Sequence, residues 1–160
     1  MGRAAAAAPD ERRRLALDGR GRAAVGVLTG GISIALGMLP DEAKLRPSFM
    51  AFGPLGPGRY WILGAWLPFF VLNIVGEEFV WRGVVLPRQE VACGGRAWLI
   101  NGLLWLLFHA AFPWPVLFTL VPITLILPYI VQRRRSTWAG VVIHAGFGGT
   151  GFLALACGLA

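Results

Sequence analysis

The chain has 160 residues, a formal net charge of +7, 56% hydrophobic residues and only 14% charged residues. A soluble globular domain carries about 25% charged residues, so the composition excludes an ordinary soluble enzyme, and its apolar content excludes a disordered chain. The basic residues lie in short clusters between apolar runs, which is typical of the flanks of membrane spans and not of a nucleic-acid surface. The sequence therefore predicts an integral membrane protein that binds membrane lipid and no nucleic acid.

In chain order, the first predicted element is a disordered basic cytoplasmic tail, residues 1–22. A transmembrane helix needs about 20 mostly apolar residues, and several later segments come near this requirement. The residues 40–59, rich in proline and glycine, are predicted to form a loop. The fold class is therefore all-α, a polytopic membrane helix bundle in one domain, residues 23–160. Its predicted transmembrane helices, about five, are residues 23–39, 60–86, 97–112, 115–131 and 138–160.

Clusters of arginine predict the orientation of these segments. Arginines concentrate in residues 1–22, in the connection 87–96 and at Arg133, Arg134 and Arg135. These three clusters fall on one side of the bilayer if the predicted helices alternate. The positive-inside rule then places the N-terminus in the cytoplasm.

Ionisable side chains inside a membrane span cost roughly 2.5–3.5 kcal/mol each, and they are candidates for function for that reason. Glu78 and Arg82 are four residues apart in the favourable order, so they can pair on one helix face. Glu77 lies about 100° around the helix, on the face of Asn73 and Trp81. This leaves one carboxylate free to act as a general base. The candidate site residues in the predicted spans are Glu77, Glu78, Arg82, His109 and His144.

The two histidines lie on separate predicted helices. Asn101, Trp105 and His109 recur at every fourth residue and form one polar and aromatic stripe. His144 shares a helix face with glycines such as Gly140, which let helices approach closely. Taken alone, each histidine is also explained as a hydrogen-bonded packing residue. Their similar depth in the bilayer predicts that they meet in one buried pocket.

Glu77, His109 and His144 together predict a hydrolase site, with two mechanisms left open. The three side chains can activate a water by general-base catalysis. They can also hold a divalent metal such as zinc, with one coordination position open for water.

The order, spacing and membrane setting of these residues resemble the CPBP family, the CAAX proteases and bacteriocin-processing membrane proteins also called Abi proteins. The family's first motif, EExxxR followed by glycine, matches residues 77–83. Its second motif, FxxxH, matches at His109, with Trp105 where phenylalanine is usual. Its third motif, HxxxN or HxxxD, begins at His144 and has Gly148 at its last position.

The resemblance implies a helical intramembrane endopeptidase of the bacterial cell membrane. Its substrate would be a peptide bond of a membrane-associated or prenylated protein. The resemblance further implies that Glu77, His109 and His144 hold the attacking water, and that Glu78 and Arg82 support them. Both metal-dependent and metal-free mechanisms are compatible with these residues.

Gly148 keeps a second function open, because it lacks the polar group that would help to hold the water. Losing one such group can cost about 10²–10³ in rate, unless Thr150 or Asn101 compensates. The alternative is a catalytically impaired family member that acts as a membrane scaffold or bacteriocin immunity protein. A third function, a proton-relay transporter, predicts internal repeats, and the sequence has none. The resemblance covers about residues 60–152.

Overall fold

The computed structural model describes residues 9–38 and 53–158, and within these ranges every regular element is helical. This confirms the predicted all-α class for the described residues. The elements are α1 (Pro9–Gly37), α2 (Trp61–Glu78), a π-helical segment (Phe79–Val85), α3 (Leu86–Cys93), a 3-10 turn (Gly94–Arg96), α4 (Ala97–Phe108), α5 (Trp114–Arg134) and α6 (Thr137–Ala156).

Two helical stretches among the described residues are long and apolar enough to cross a membrane. One is the run Trp61–Phe108, which joins α2 to α4 through the short elements between them, and the other is Trp114–Arg134. A bundle of about five spans and its orientation therefore stay predictions.

Helix α1 corrects the predicted boundary at residue 22. The helix begins at Pro9, so residues 9–22 are helical, although they were predicted to belong to a disordered tail. Proline suits the first turn of a helix. Packing of α1 against α5 stabilises the rest of the helix, because Val25 is buried and Gly21 approaches Ile130 so closely that a Cβ would overlap it. Residues 1–8, residues 39–52, which include most of the predicted loop, and residues 159–160 of the last predicted span lie outside the described residues.

Helix α5 is central, because it packs against α1, α4 and α6. Its contact with α4 is close: a Cβ on Gly102 would overlap the backbone carbonyl oxygen of Thr124. The buried side chains around α5 form the hydrophobic core, to which every helix except α2 contributes. They are Val25, Leu86, Ala97, Trp105, Ile123, Leu127, Ile130, Val131 and Ile143.

The π-helical segment separates α2 from α3 and carries Arg82. A proline ring clashes with the carbonyl four residues earlier in a regular α-helix, and Pro87 lies two residues after the end of this segment. The wider π turn, with its longer hydrogen-bond spacing, therefore occurs where a regular helix would be strained.

Helix α4 is shorter than the predicted segment 97–112, because it ends at Phe108. The residue before a proline is disfavoured in helical conformation, and Pro113 imposes this on Phe112. His109 consequently lies just beyond the end of α4, in a turn where its carbonyl accepts a hydrogen bond from the Phe112 N–H at 2.9 Å.

Candidate active site

The two consecutive glutamates of α2 contact two different helices. Glu77 accepts a hydrogen bond from the indole of Trp105 on α4, whereas Glu78 contacts the imidazole of His144 on α6. Consecutive residues of a helix point about 100° apart, so two adjacent carboxylates can reach side chains on two different helices. Side chains from α2, α4 and α6 therefore meet in one site.

Glu78 is the buried centre of an ionic network. Its side chain is 0% exposed, and its Oε1 lies 3.1 Å from Nη1 of Arg82 and 2.9 Å from Nδ1 of His144. Gly140 makes this approach possible, because a Cβ there would overlap Oε2 of Glu78. The pairing of Glu78 with Arg82 agrees with their spacing in the sequence, but the contact with His144 was not predicted.

Glu77 is half-buried, and within residues 9–38 and 53–158 the hydrogen bonds to its carboxylate come from neutral side chains. Nδ2 of Asn73 donates to its Oε1 at 3.1 Å, and Nε1 of Trp105 donates to its Oε2 at 3.0 Å. Asn73 was predicted to share the helix face of Glu77. Each carboxylate oxygen thus accepts one hydrogen bond and keeps lone pairs for a further donor, such as a water.

Trp105 is the side chain that joins the candidate residues. It is 1% exposed, and the guanidinium carbon of Arg82 lies 3.7 Å from the centre of its ring, which is a cation–π contact. The rings of His109 and His144 meet it edge to face, with centroids 5.6 and 5.1 Å away. With its hydrogen bond to Glu77, one indole contacts four of the five predicted site residues directly.

The hydrogen bonds of the two histidines determine their neutral tautomers. Nδ1 of His109 lies 2.7 Å from the carbonyl oxygen of Trp105, and a carbonyl only accepts, so Nδ1 carries the proton. Nδ1 of His144 faces the acceptor Oε1 of Glu78 in the same way. In the neutral ring the other nitrogen, Nε2, is then a base. Both histidines can therefore offer Nε2 to a water or a substrate.

The predicted metal ligands do not form a compact set in this arrangement. Within residues 9–38 and 53–158, no three histidine, cysteine, aspartate or glutamate side chains are grouped closely enough to hold a metal ion. Glu77, His109 and His144 are connected through the indole of Trp105 instead. The donor set as arranged does not fit zinc, and we derive no catalytic step through a metal.

Gly148 lies one turn beyond His144 and faces α2. A Cβ at this position would lie 3.5 Å from Cε2 of Phe70, which is ordinary van der Waals contact. The hydroxyl of Thr150, one of the two groups considered as substitutes, is engaged elsewhere, because it donates to the carbonyl of Gly146 in its own helix at 2.6 Å. Nδ2 of Asn101 donates to the carbonyl of Trp81 at 3.0 Å and to Oε1 of a glutamine in α3.

Comparison with known proteins identifies the family. The model of the type II CAAX prenyl endopeptidase Rce1-like family matches residues 59–150, more than half of the chain. The chain belongs to this family. The match contains the whole constellation around Trp105, from Glu77 to His144, and it places the chain among membrane-embedded CAAX-type peptidases at the family level. No curated protein and no solved structure is significantly similar to the chain.

Sequence reasoning missed two contacts of the site: the hydrogen bond from the Trp105 indole to Glu77, and the contact of Glu78 with His144. Each contact had a signal in the sequence. The first signal was Trp105 itself: the N–H of a buried indole needs an acceptor, and Glu77 and Glu78 were the carboxylates predicted in the same site. Gly140, four residues before His144 on the same helix face, had indicated that a neighbouring helix approaches closely there. What the spacing could not provide was the identity of the approaching side chain, Glu78.

Proposed function

We propose that the chain is an intramembrane endopeptidase that hydrolyses a peptide bond of a membrane-associated or prenylated protein with a water activated by glutamate and histidine. The observation that carries the proposal is the convergence of Glu77, His109 and His144 on the buried indole of Trp105. This arrangement unites a carboxylate that accepts hydrogen bonds from two neutral side chains with two imidazoles whose Nε2 atoms are available. Such a set suits general-base catalysis.

In the proposed reaction, Glu77 is the base. The water oxygen attacks the carbonyl carbon of the peptide, one water proton passes to Glu77, and the carbonyl electron pair moves onto its oxygen. Nε2 of His109 accepts a hydrogen bond from the other O–H of the water and so orients it. The tetrahedral intermediate then collapses: the C–N bond breaks, and the leaving nitrogen takes the proton from Glu77.

Glu78 acts in this proposal through His144. The Glu78 carboxylate accepts a hydrogen bond from Nδ1–H of His144, which fixes the orientation of the imidazole and leaves its Nε2 as an acceptor for a water hydrogen bond. Arg82 balances the second carboxylate charge in a site where Glu78 is fully buried. Glu77 and Glu78 therefore have different tasks although they are adjacent in the sequence.

The outer surface supports a bilayer as the setting. Large apolar side chains are exposed on α2 and α4, among them Phe69, Leu72, Leu107 and Phe108. Exposed apolar surface of this extent is unfavourable in water and favourable against lipid chains. We therefore propose membrane lipid and a lipid-anchored or membrane-bound polypeptide as partners, in a bacterial cell membrane with a cytoplasmic N-terminus.

Gly148 favours one alternative, a family member that has lost its activity and acts as a membrane scaffold or bacteriocin immunity protein. The position faces the hydrophobic side chains of Phe70 and Ile74. Glycine there provides no polar group to the site. A Cβ at this position would make only ordinary van der Waals contacts, so the Cβ of an asparagine in Gly148→Asn does not clash with α2.

The test is cleavage in liposomes that contain the purified protein and a panel of prenylated peptides and membrane-tethered reporter proteins. Glu77→Gln should lower the rate by about 10²–10⁴, the usual contribution of a general base. Glu90→Gln is the matched control, since Glu90 pairs with Arg135 at 3.3 Å in another part of the bundle. A chelator arm separates metal-dependent from metal-free hydrolysis.

Cleavage that survives Glu77→Gln would contradict the proposed base. Cleavage that a chelator abolishes and zinc restores would contradict the metal-free mechanism but not the peptidase. If the wild type is inactive and Gly148→Asn gains activity, the scaffold function replaces the proposal.

A further inference from the structure

We infer that Trp105 and Asn73 are positioning residues that hold the Glu77 carboxylate between them in the orientation needed for water activation. The inference rests on the proposed function, which names Glu77 as the base. It adds that this chain orients its base through an indole N–H. A phenylalanine, usual at the position of Trp105 in the resembling family, has no such donor.

The geometry of the two hydrogen bonds defines the orientation of the carboxylate. Asn73 donates to Oε1 at 3.1 Å and Trp105 donates to Oε2 at 3.0 Å. A single donor leaves a carboxylate free to rotate about its Cγ–Cδ bond, whereas donors on both oxygens define its plane. Because a carboxylate oxygen has two acceptor sites, each oxygen can still accept a hydrogen bond from a water.

The two donors differ in their surroundings. Trp105 is 1% exposed and is itself held by Arg82, 3.7 Å from its ring centre, and by the rings of two histidines. Asn73 lies on the exposed side of α2. Glu77 is thus anchored from the buried network on one side and reached from an open face on the other. A membrane-bound substrate can approach it from the face of Asn73.

Trp105 also links Glu77 to the other candidate residues. The indole that donates to Glu77 contacts the rings of His109 and His144. A shift of the indole would therefore displace the base relative to both imidazoles, and small displacements of reacting groups can reduce rates about 10²-fold. This is the reason to expect an effect on turnover and not on substrate binding.

The sharpest test replaces Trp105 by β-(3-benzothienyl)alanine through stop-codon suppression, because this analogue keeps the bicyclic shape and lacks only the N–H. We expect kcat for a cleaved reporter to fall about 10- to 100-fold with KM within about twofold, since a hydrogen bond to a charged group is lost. Trp105→Phe should show at least this loss. Trp98→Phe is the matched control, as Trp98 packs against Tyr129 away from the site.

Asn73→Leu provides the second half of the test. It should lower kcat by a similar factor, and combining it with the Trp105 analogue should cost less than the product of the separate losses, because both donors orient one carboxylate.

The hydrogen bond itself can be observed without turnover: the indole ¹H–¹⁵N signal of Trp105, assigned with Trp105→Phe, should shift in Glu77→Gln and not in Glu90→Gln.

The outcomes separate this inference from the proposed function. If Glu77→Gln abolishes cleavage while the Trp105 analogue keeps wild-type kcat, Glu77 is the base and the positioning role is wrong. An indole signal that ignores Glu77→Gln also overturns it. If Glu77→Gln leaves cleavage intact, or the wild type cleaves nothing, the proposed function fails together with the positioning role, whatever the indole signal shows.

Discussion

Glu77 and Glu78 are adjacent, but removing their charges should have very different effects on stability. Glu78→Gln keeps the shape of the side chain and leaves Arg82, 1% exposed, as a buried cation without its counter-charge. Breaking a buried ion pair in this way costs about 3–5 kcal/mol of the free energy of unfolding. Glu77→Gln removes no ion pair from its half-buried site, so we expect a loss of about 1 kcal/mol, the net value of a typical hydrogen bond.

The free energies of unfolding can be measured in mixed micelles, with tryptophan fluorescence and circular dichroism as two independent probes. The decisive quantity is the difference between the two glutamine variants, expected to be about 2 kcal/mol or more. Glu78→Met combined with Arg82→Met should recover most of the stability, because replacing both partners of a buried pair by apolar residues is often neutral.

Equal stability of the two glutamine variants would refute the assignment of Glu78 to the structural network. A double methionine variant that is no more stable than Glu78→Gln would refute the electrostatic origin of the loss. The cation–π contact of Arg82 with Trp105 would then be the interaction to test, since such contacts contribute about 0.5–2 kcal/mol.

Glycines at close helix contacts give two further predictions. Gly140→Ala should displace the Glu78 carboxylate, because the added Cβ would overlap it. We expect the free energy of unfolding to fall by about 1–3 kcal/mol and kcat to fall as well. An alanine variant with wild-type stability and kcat would contradict the close approach of α6 to Glu78. Gly102→Ala should push α4 away from the carbonyl of Thr124 at a similar cost, measured by unfolding in micelles. Gly64→Ala is the control for both, because nothing lies within 4 Å of its Cβ position.

The spacing of residues along each helix correctly predicted several contacts of the candidate site. Glu78 and Arg82 pair as their four-residue separation indicates, and Glu77 points away from them toward Asn73. Trp105 and His109 are neighbours for the same reason. These relations depend only on the angle per residue in a helix, so the sequence contains them.

The sequence predicted the ends of two helices incorrectly. Residues 9–22 looked like a charged tail because their arginines suggested a solvated segment, yet Gly21 packs against Ile130 of α5 and the helix extends back to Pro9. His109 was placed inside a span, whereas Pro113 ends the regular helix at Phe108. Packing partners and short-range steric effects determined both boundaries.

The sequence by itself determined the helical, membrane-type composition, the angular positions of the charged residues on their helices and the motifs of the family. Only the tertiary structure decided that Glu78 meets His144, that Glu77 receives the indole N–H of Trp105 and that Gly140 admits the carboxylate to α6. The physical reason is that periodicity defines the direction in which a side chain leaves its helix. Which neighbour lies in that direction, and at what distance, depends on how the helices pack.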